Sequence, residues 1–158
     1  KGALLGSVFA VDGLDKSVSN LADCIAQLMS EKYQTLSLIE TLSQGDIARQ
    51  CQADWLLQSE IRPKASDLML EFGFVQQDIS EALVAEVAKK NYARQKANLS
   101  LVQIYKKVND STVAVYTAVT DGQHLISSSK DVWGRALRQQ TVASALAFNL
   151  LRKFLQDV

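Results

Sequence analysis

One proline and seven glycines punctuate a chain of 158 residues. An all-β protein of that length needs many tight turns, and each turn draws on Gly, Pro, Asn or Asp. So little punctuation favours long helices. Hydrophobic residues make up 47% of the chain and charged residues 22%, enough apolar content to bury a core and too much for a disordered or collagen-like chain. The formal net charge is zero, so whole-molecule charge gives no case for nucleic acid or an anionic membrane surface. The halves are unlike: residues 1–85 carry −6 and residues 86–158 carry +6.

The apolar spacing reads mainly as helix. Asp12, Asp15 and Ser17 stand where a helix starts, and Leu14, Val18, Leu21, Ile25 and Leu28 follow at steps of four and three. Lys32 and Thr35 interrupt this stripe before Leu36, Ile39 and Leu42 resume it, so one long helix over 14–43, closed by Gly45, is predicted. A second helix runs from Asp46 to Arg62-Pro63, a third from Lys64 to Phe72, and a fourth from Gln76 to about Val108. Thr112 to Thr120 is rich in β-branched residues and is followed by Asp121-Gly122, which predicts a small β-hairpin over 112–127. Continued helix is its rival, because Leu101, Tyr105, Val108, Thr112, Val115 and Val119 also fall at alternating steps of four and three. A last helix opens at Ser127–Asp131 and is uncharged from Gln139 through Leu151, as a helix at the centre of a bundle would be. The predicted fold is therefore mainly α: a compact bundle of about five helices with a hairpin before a central C-terminal helix, forming one domain over 1–158. Residues 1–11 are an apolar segment, read either as core packing or as the remnant of a longer leader or anchor.

Chemical motifs are sparse. The sequence contains no G-x-G-x-x-G, phosphate loop, H-E-x-x-H, C-x-x-C or EF-hand pattern. Two cysteines and one histidine cannot supply a four-ligand Cys/His zinc site. Neither a cofactor nor a metal is expected, and no catalytic residue is assigned. On the predicted helices Cys24 and Cys51 lie at different heights, so both should be free thiols, which suits a reducing, cytoplasmic setting. His124 lies near Asp121 and Ser127–Ser129, but neighbours on a strand point to opposite faces, and an exposed turn histidine is the simpler role. Trp55 and Trp133 fit core packing more simply than a ligand pocket.

The fourth helix stands out. Its apolar azimuth is interrupted by Lys90 and Arg94, while Lys89 and Lys96 point the other way and Tyr92 lies between. Three explanations compete: a helix that projects from the bundle, ion pairing with the acidic first half, or an anion-binding patch. Projection is the expectation. It makes Lys89, Lys90, Tyr92, Arg94 and Lys96 a partner-binding set. The corresponding function is a non-catalytic protein-interaction module, an adaptor, chaperone-like or assembly subunit that binds a protein partner or a second copy. The alternative is nucleic-acid binding through the same basic helix; a small-molecule ligand is left unassigned.

Overall fold

In the computed structural model, residues 14–32, 34–51, 54–74 and 78–157 are described, with side chains from residue 21 onward. The apolar segment 1–11 lies outside them. Helix α1 covers Leu14–Glu31, followed by strand β1 (Leu36–Glu40), the short helix α2 (Asp46–Gln50) and strand β2 (Leu56–Ile61). Helices α3 (Ala65–Glu71) and α4 (Glu81–Arg94) lead to strands β3 (Leu99–Asn109), β4 (Thr112–Thr120) and β5 (Leu125–Trp133), and α5 (Ala136–Asp157) follows.

The helical bundle is corrected to an α/β fold. Five strands form one mixed sheet in the order β2-β1-β3-β4-β5. β1 runs parallel to both neighbours, whereas β3, β4 and β5 form an antiparallel meander. Helices cover both faces. On one, Leu21, Ile25 and Met29 of α1 and Phe148, Leu151 and Phe154 of α5 pack on Leu36, Leu38, Leu99 and Leu101. On the other, Leu68, Val84 and Val87 of α3 and α4 pack on Ile39, Val102, Ile104 and Ala118. α5 thus lies against one face of the sheet and does not form the axis of a bundle.

The predicted first helix stops at Glu31, and the later part of its stripe is strand. Leu36–Glu40 is buried at every position, and a strand covered on both faces loses the alternation that distinguishes it from helix. The second predicted helix splits into α2 and the edge strand β2, and the fourth into α4 and β3. The hairpin strands form, with β5 reaching Trp133, but as one side of the sheet. Asp121 N donates to His124 O at 3.3 Å, and Asp121 Oδ1 accepts from the backbone N–H of Gln123 and His124 at 2.9 and 2.7 Å. The turn is therefore a four-residue Asx-stabilised loop and not a two-residue one.

Candidate functional site

β1 is followed by α2 on the α1/α5 face, whereas α3 and α4, which connect β2 to β3, lie on the opposite face. The connections leaving the adjacent carboxyl ends of β1 and β2 therefore go to opposite faces, while β3 continues past its pairing with Glu40 and turns directly into β4. In open α/β sheets ligands collect beyond the carboxyl ends of the parallel strands, here past the end of β1 beside the projecting β3-β4 hairpin.

A row of polar residues crosses the sheet at the end of β1. Glu40, Gln103, Thr117 and Ser128 are successive register partners across β1, β3, β4 and β5, and the first three are buried. The Glu40 carboxylate accepts from Ile47 N at 3.2 Å, Ala48 N at 3.0 Å and the Ser43 hydroxyl. It caps α2 with its own negative charge, a favourable arrangement at a helix start. Gln103 Oε1 accepts from Ser43 N at 3.1 Å, and Gln103 Nε2 donates to Ala143 O at 3.2 Å, tying the end of β1 to α5. Burial, and then the Glu40 charge, push the nearby Cys51 thiol up to about 12. Cys51 and Cys24 are both free thiols.

Past this row, beyond the end of β1, lies a cleft of about 860 Å³. Leu42 and Gln44 from the end of β1, Tyr105, Lys107 and Asn109 from β3, Trp133 from β5, and Arg135 and Gln139 at the start of α5 contribute to its walls. Local backbone geometry shapes it. Gln44 has a φ of 51° and Gly45 one of 96°, and the left-handed region is uncommon for a residue with a side chain. Gly134 N and Gln139 Nε2 both donate to Ser111 O, at 2.8 and 3.2 Å, fixing the β3-β4 tip against α5. α5 carries no acidic residue in its first turn, so its N-terminal partial charge adds to those of Lys107 and Arg135. Among the described lining residues Asp110 is the only carboxylate, 3.9 Å from Lys107 Nζ, and none is histidine or cysteine. The arrangement offers cations, amides and aromatic surface, the means to hold an anion rather than to relay a proton.

The residues singled out on the fourth helix are not part of this cleft. α4 packs on the sheet through Val84, Val87, Ala88 and Asn91 and does not project. Lys90 Nζ donates to Phe72 O at 3.1 Å and lies 4.6 Å from the centroid of the Phe74 ring. Arg94 pairs with Glu71 at 2.8 Å and stacks 4.0 Å from the Phe72 centroid. Lys89 pairs with Glu86 at 3.1 Å, Tyr92 packs against Gly122, and Lys96 lines a separate cavity with Ser37 and Gln58. Part of the charge asymmetry is thus used internally, by Arg94 with Glu71 and Lys106 with Asp78.

His124 sits at the opposite end of the sheet, with its Nδ1 3.3 Å from Asp121 Oδ2. Burial alone would raise the Asp121 carboxyl, but hydrogen bonds from His124 and Gln123 outweigh it and hold it below the usual range. Ser127 donates to Glu81 of α4 at 2.6 Å, so its hydroxyl belongs to the sheet–helix packing. Among the described residues, no cluster of His, Cys, Asp and Glu could hold a metal, and no helix is long and apolar enough to cross a membrane.

No family model matches the sequence, and no curated protein does. Solved structures do. A competence-damaged protein (CinA) superfamily protein from Klebsiella pneumoniae superposes with a TM-score of 0.73 at 16% identity, covering 89% of this chain and 99% of that one. A competence or damage-inducible protein from Enterobacter asburiae gives 0.71 at 16%, covering 87% and 98%. A competence/damage inducible protein from Agrobacterium tumefaciens gives 0.66 at 13%, covering 88% and 95%. At these identities the likeness shows the fold. That fold overturns the helical interaction module and its nucleic-acid alternative, since both required a bundle with an exposed basic fourth helix.

Proposed function

We propose that this chain is a ligand-binding α/β domain that seats a small anionic molecule in the cleft beyond the end of β1. The observation that carries this reading is a cleft past the carboxyl end of β1, beside the β3-β4 tip, that brings together Arg135, the start of α5 and Lys107, whose Nζ lies 3.9 Å from Asp110. Tyr105 and Trp133 add aromatic surface for an apolar or planar body, and Gln139, Gln140 and Gln44 supply amides that can orient it. The solved neighbours are described as competence-damaged or damage-inducible proteins, wording that names no ligand, so the reading rests on the cleft.

Trp133 provides the assay. It is 66% exposed at the cleft, whereas Trp55 is 4% exposed in the core, so Trp133→Phe identifies the signal from the cleft. Titration with pyrophosphate, citrate and phthalate should give a saturable change in emission for at least one of them. The same compound should raise the melting temperature, since a ligand at ~100 times its Kd adds about 2.7 kcal/mol. The double variant Lys107→Glu/Arg135→Glu should abolish both effects. Absence of saturation with every anion, or binding unchanged in the double variant, overturns the reading.

A further inference from the structure

A second concavity, of about 480 Å³, runs along the open side of the sheet between β5 and α5. Among the described residues β5 ends the strand order, with β4 as its one neighbour, and an edge strand presents unpaired backbone N–H and C=O groups to whatever lies beside it. Lys130, Asp131, Val132 and Trp133 all line this groove, although successive strand side chains point to opposite faces. Residues of both parities border one concavity when that concavity includes the edge of the strand as well as a face. The opposite wall is a single stripe of α5, with Val142 and Leu146 between Arg138 at one end and Lys153 at the other.

From these features we infer that the groove accepts an extended peptide as a sixth strand beside β5, apolar at its centre and carrying a carboxylate toward each end. The dimensions agree. Arg138 and Lys153 are fifteen residues apart on one helix, ~22 Å at 1.5 Å per residue. The first and seventh residues of an extended strand are separated by ~20 Å and point to the same face. Lys130, Arg138 and Lys153 face one opposing carboxylate residue, Asp131, along the groove, so its charge complements an acidic segment. The apolar residues between the cations fit alternate valines of such a strand. At the Trp133 end, Arg138 Nη1 donates to Trp133 O at 3.2 Å and its guanidinium lies 5.3 Å from the Trp133 ring centroid, which holds that cation at the mouth. The groove shares Trp133 with the anion cleft but takes its cations from Lys130, Arg138 and Lys153 rather than Lys107 and Arg135, and none of Lys89, Lys90, Tyr92, Arg94 or Lys96 lines it.

The test uses the intact chain and a fluorescein-labelled acetyl-Glu-Thr-Val-Thr-Val-Thr-Glu-amide followed by anisotropy. Saturable binding with a Kd below ~100 μM at low salt is expected, and added salt should weaken it. Arg138→Glu/Lys153→Glu changes two exposed side chains, leaves the core intact, and should weaken binding by at least ~10-fold. N-methylation at alternate residues removes the strand hydrogen bonds and should weaken it by a similar ~10-fold. The inference is overturned by no saturation up to ~1 mM, by equal affinity of the N-methylated peptide, or by equal affinity of the peptide with lysine in place of both glutamates. Sedimentation of the free protein as a dimer that Arg138→Glu/Lys153→Glu dissociates, with no peptide binding to the wild type, would place a second copy in the groove and overturn it as well.

Discussion

Replacing Glu40 by alanine tests the contact that ties the end of β1 to α2. The carboxylate is fully buried and accepts three hydrogen bonds, from Ile47 N, Ala48 N and the Ser43 hydroxyl. Truncation strands two N–H groups of α2 and one hydroxyl where water does not replace the lost acceptor. Each buried donor left unsatisfied costs about 1–3 kcal/mol. Ser43 retains a contact with Gln103 Oε1 at 3.2 Å, so the two backbone groups dominate and Glu40→Ala should lose about 3–5 kcal/mol. Glu40→Gln keeps one acceptor oxygen and nearly the same shape, and should lose about 1–2 kcal/mol. In urea, with a slope of about 2 kcal/mol/M, the alanine variant should unfold at a midpoint lower by ~2 M with the slope unchanged. A loss below ~1 kcal/mol for alanine would mean that α2 does not depend on this carboxylate and would refute the reasoning.

Phe148 is fully buried in the core between α1, α5 and the sheet; Phe148→Ala should cost about 3–5 kcal/mol in the same denaturation assay, whereas Leu146→Ala should cost less because Leu146 borders the open groove. The Glu71 carboxyl is held below its ordinary value by hydrogen bonds from Arg94 and then Arg62, so its stabilising contribution is present above the unfolded-state pKa and lost as pH falls through the lower folded-state value. Because these side chains are substantially exposed, solvent screening keeps that contribution under ~1 kcal/mol; wild type and Glu71→Gln should differ by this amount at pH 7 and converge at strongly acidic pH. Burial, and secondarily Glu40, keep the Cys51 thiol protonated, so in native protein at pH 9 it should react with a disulfide reagent far more slowly than after denaturation.

The sequence carried the helical half of the fold better than the sheet, for a physical reason visible in β1 and β3. Leu101 and Tyr105 face the α5 side while Val102 and Ile104 face α4. Because both faces are covered, apolar residues of either parity are tolerated, and Leu101, Ile104, Tyr105 and Val108 coincide with a helical stripe. The same coincidence extended α1 through Leu36 and Ile39. α3, lying within the predicted Lys64–Phe72 helix, and α5, with its uncharged span, were legible because each has one buried side and enough length or capping to show it. The hairpin was legible in Asp121-Gly122, although the strands it joins belong to a larger sheet. Lys90 and Arg94 looked anomalous on an apolar azimuth, but the Glu71 carboxylate and the Phe72 and Phe74 rings that accommodate them come from other parts of the chain. The cleft was invisible for a similar reason: Gln44, Lys107 and Arg135 are ordinary loop and strand-end residues until the strand order brings them together.

Glu40 also decides where an anion can sit beyond the end of β1. In a doubly wound sheet the N–H groups of the helix after the first strand are the natural seat for a negative ligand group. Here the N–H groups of Ile47 and Ala48 are directed to the Glu40 carboxylate, and Ser43 closes the third side. A second negative charge at the same N–H groups would face Glu40 directly, without a cation among the described contacts to separate them. The remaining positive potential lies across the cleft, at Lys107, Arg135 and the first turn of α5. In the proposed binding mode an anion orients its charge toward Arg135 and α5 and its body toward Tyr105 and Trp133. Charge reversal at Arg135 should consequently weaken binding more than charge reversal at Arg49 beside α2, whose guanidinium is already paired with Asp46.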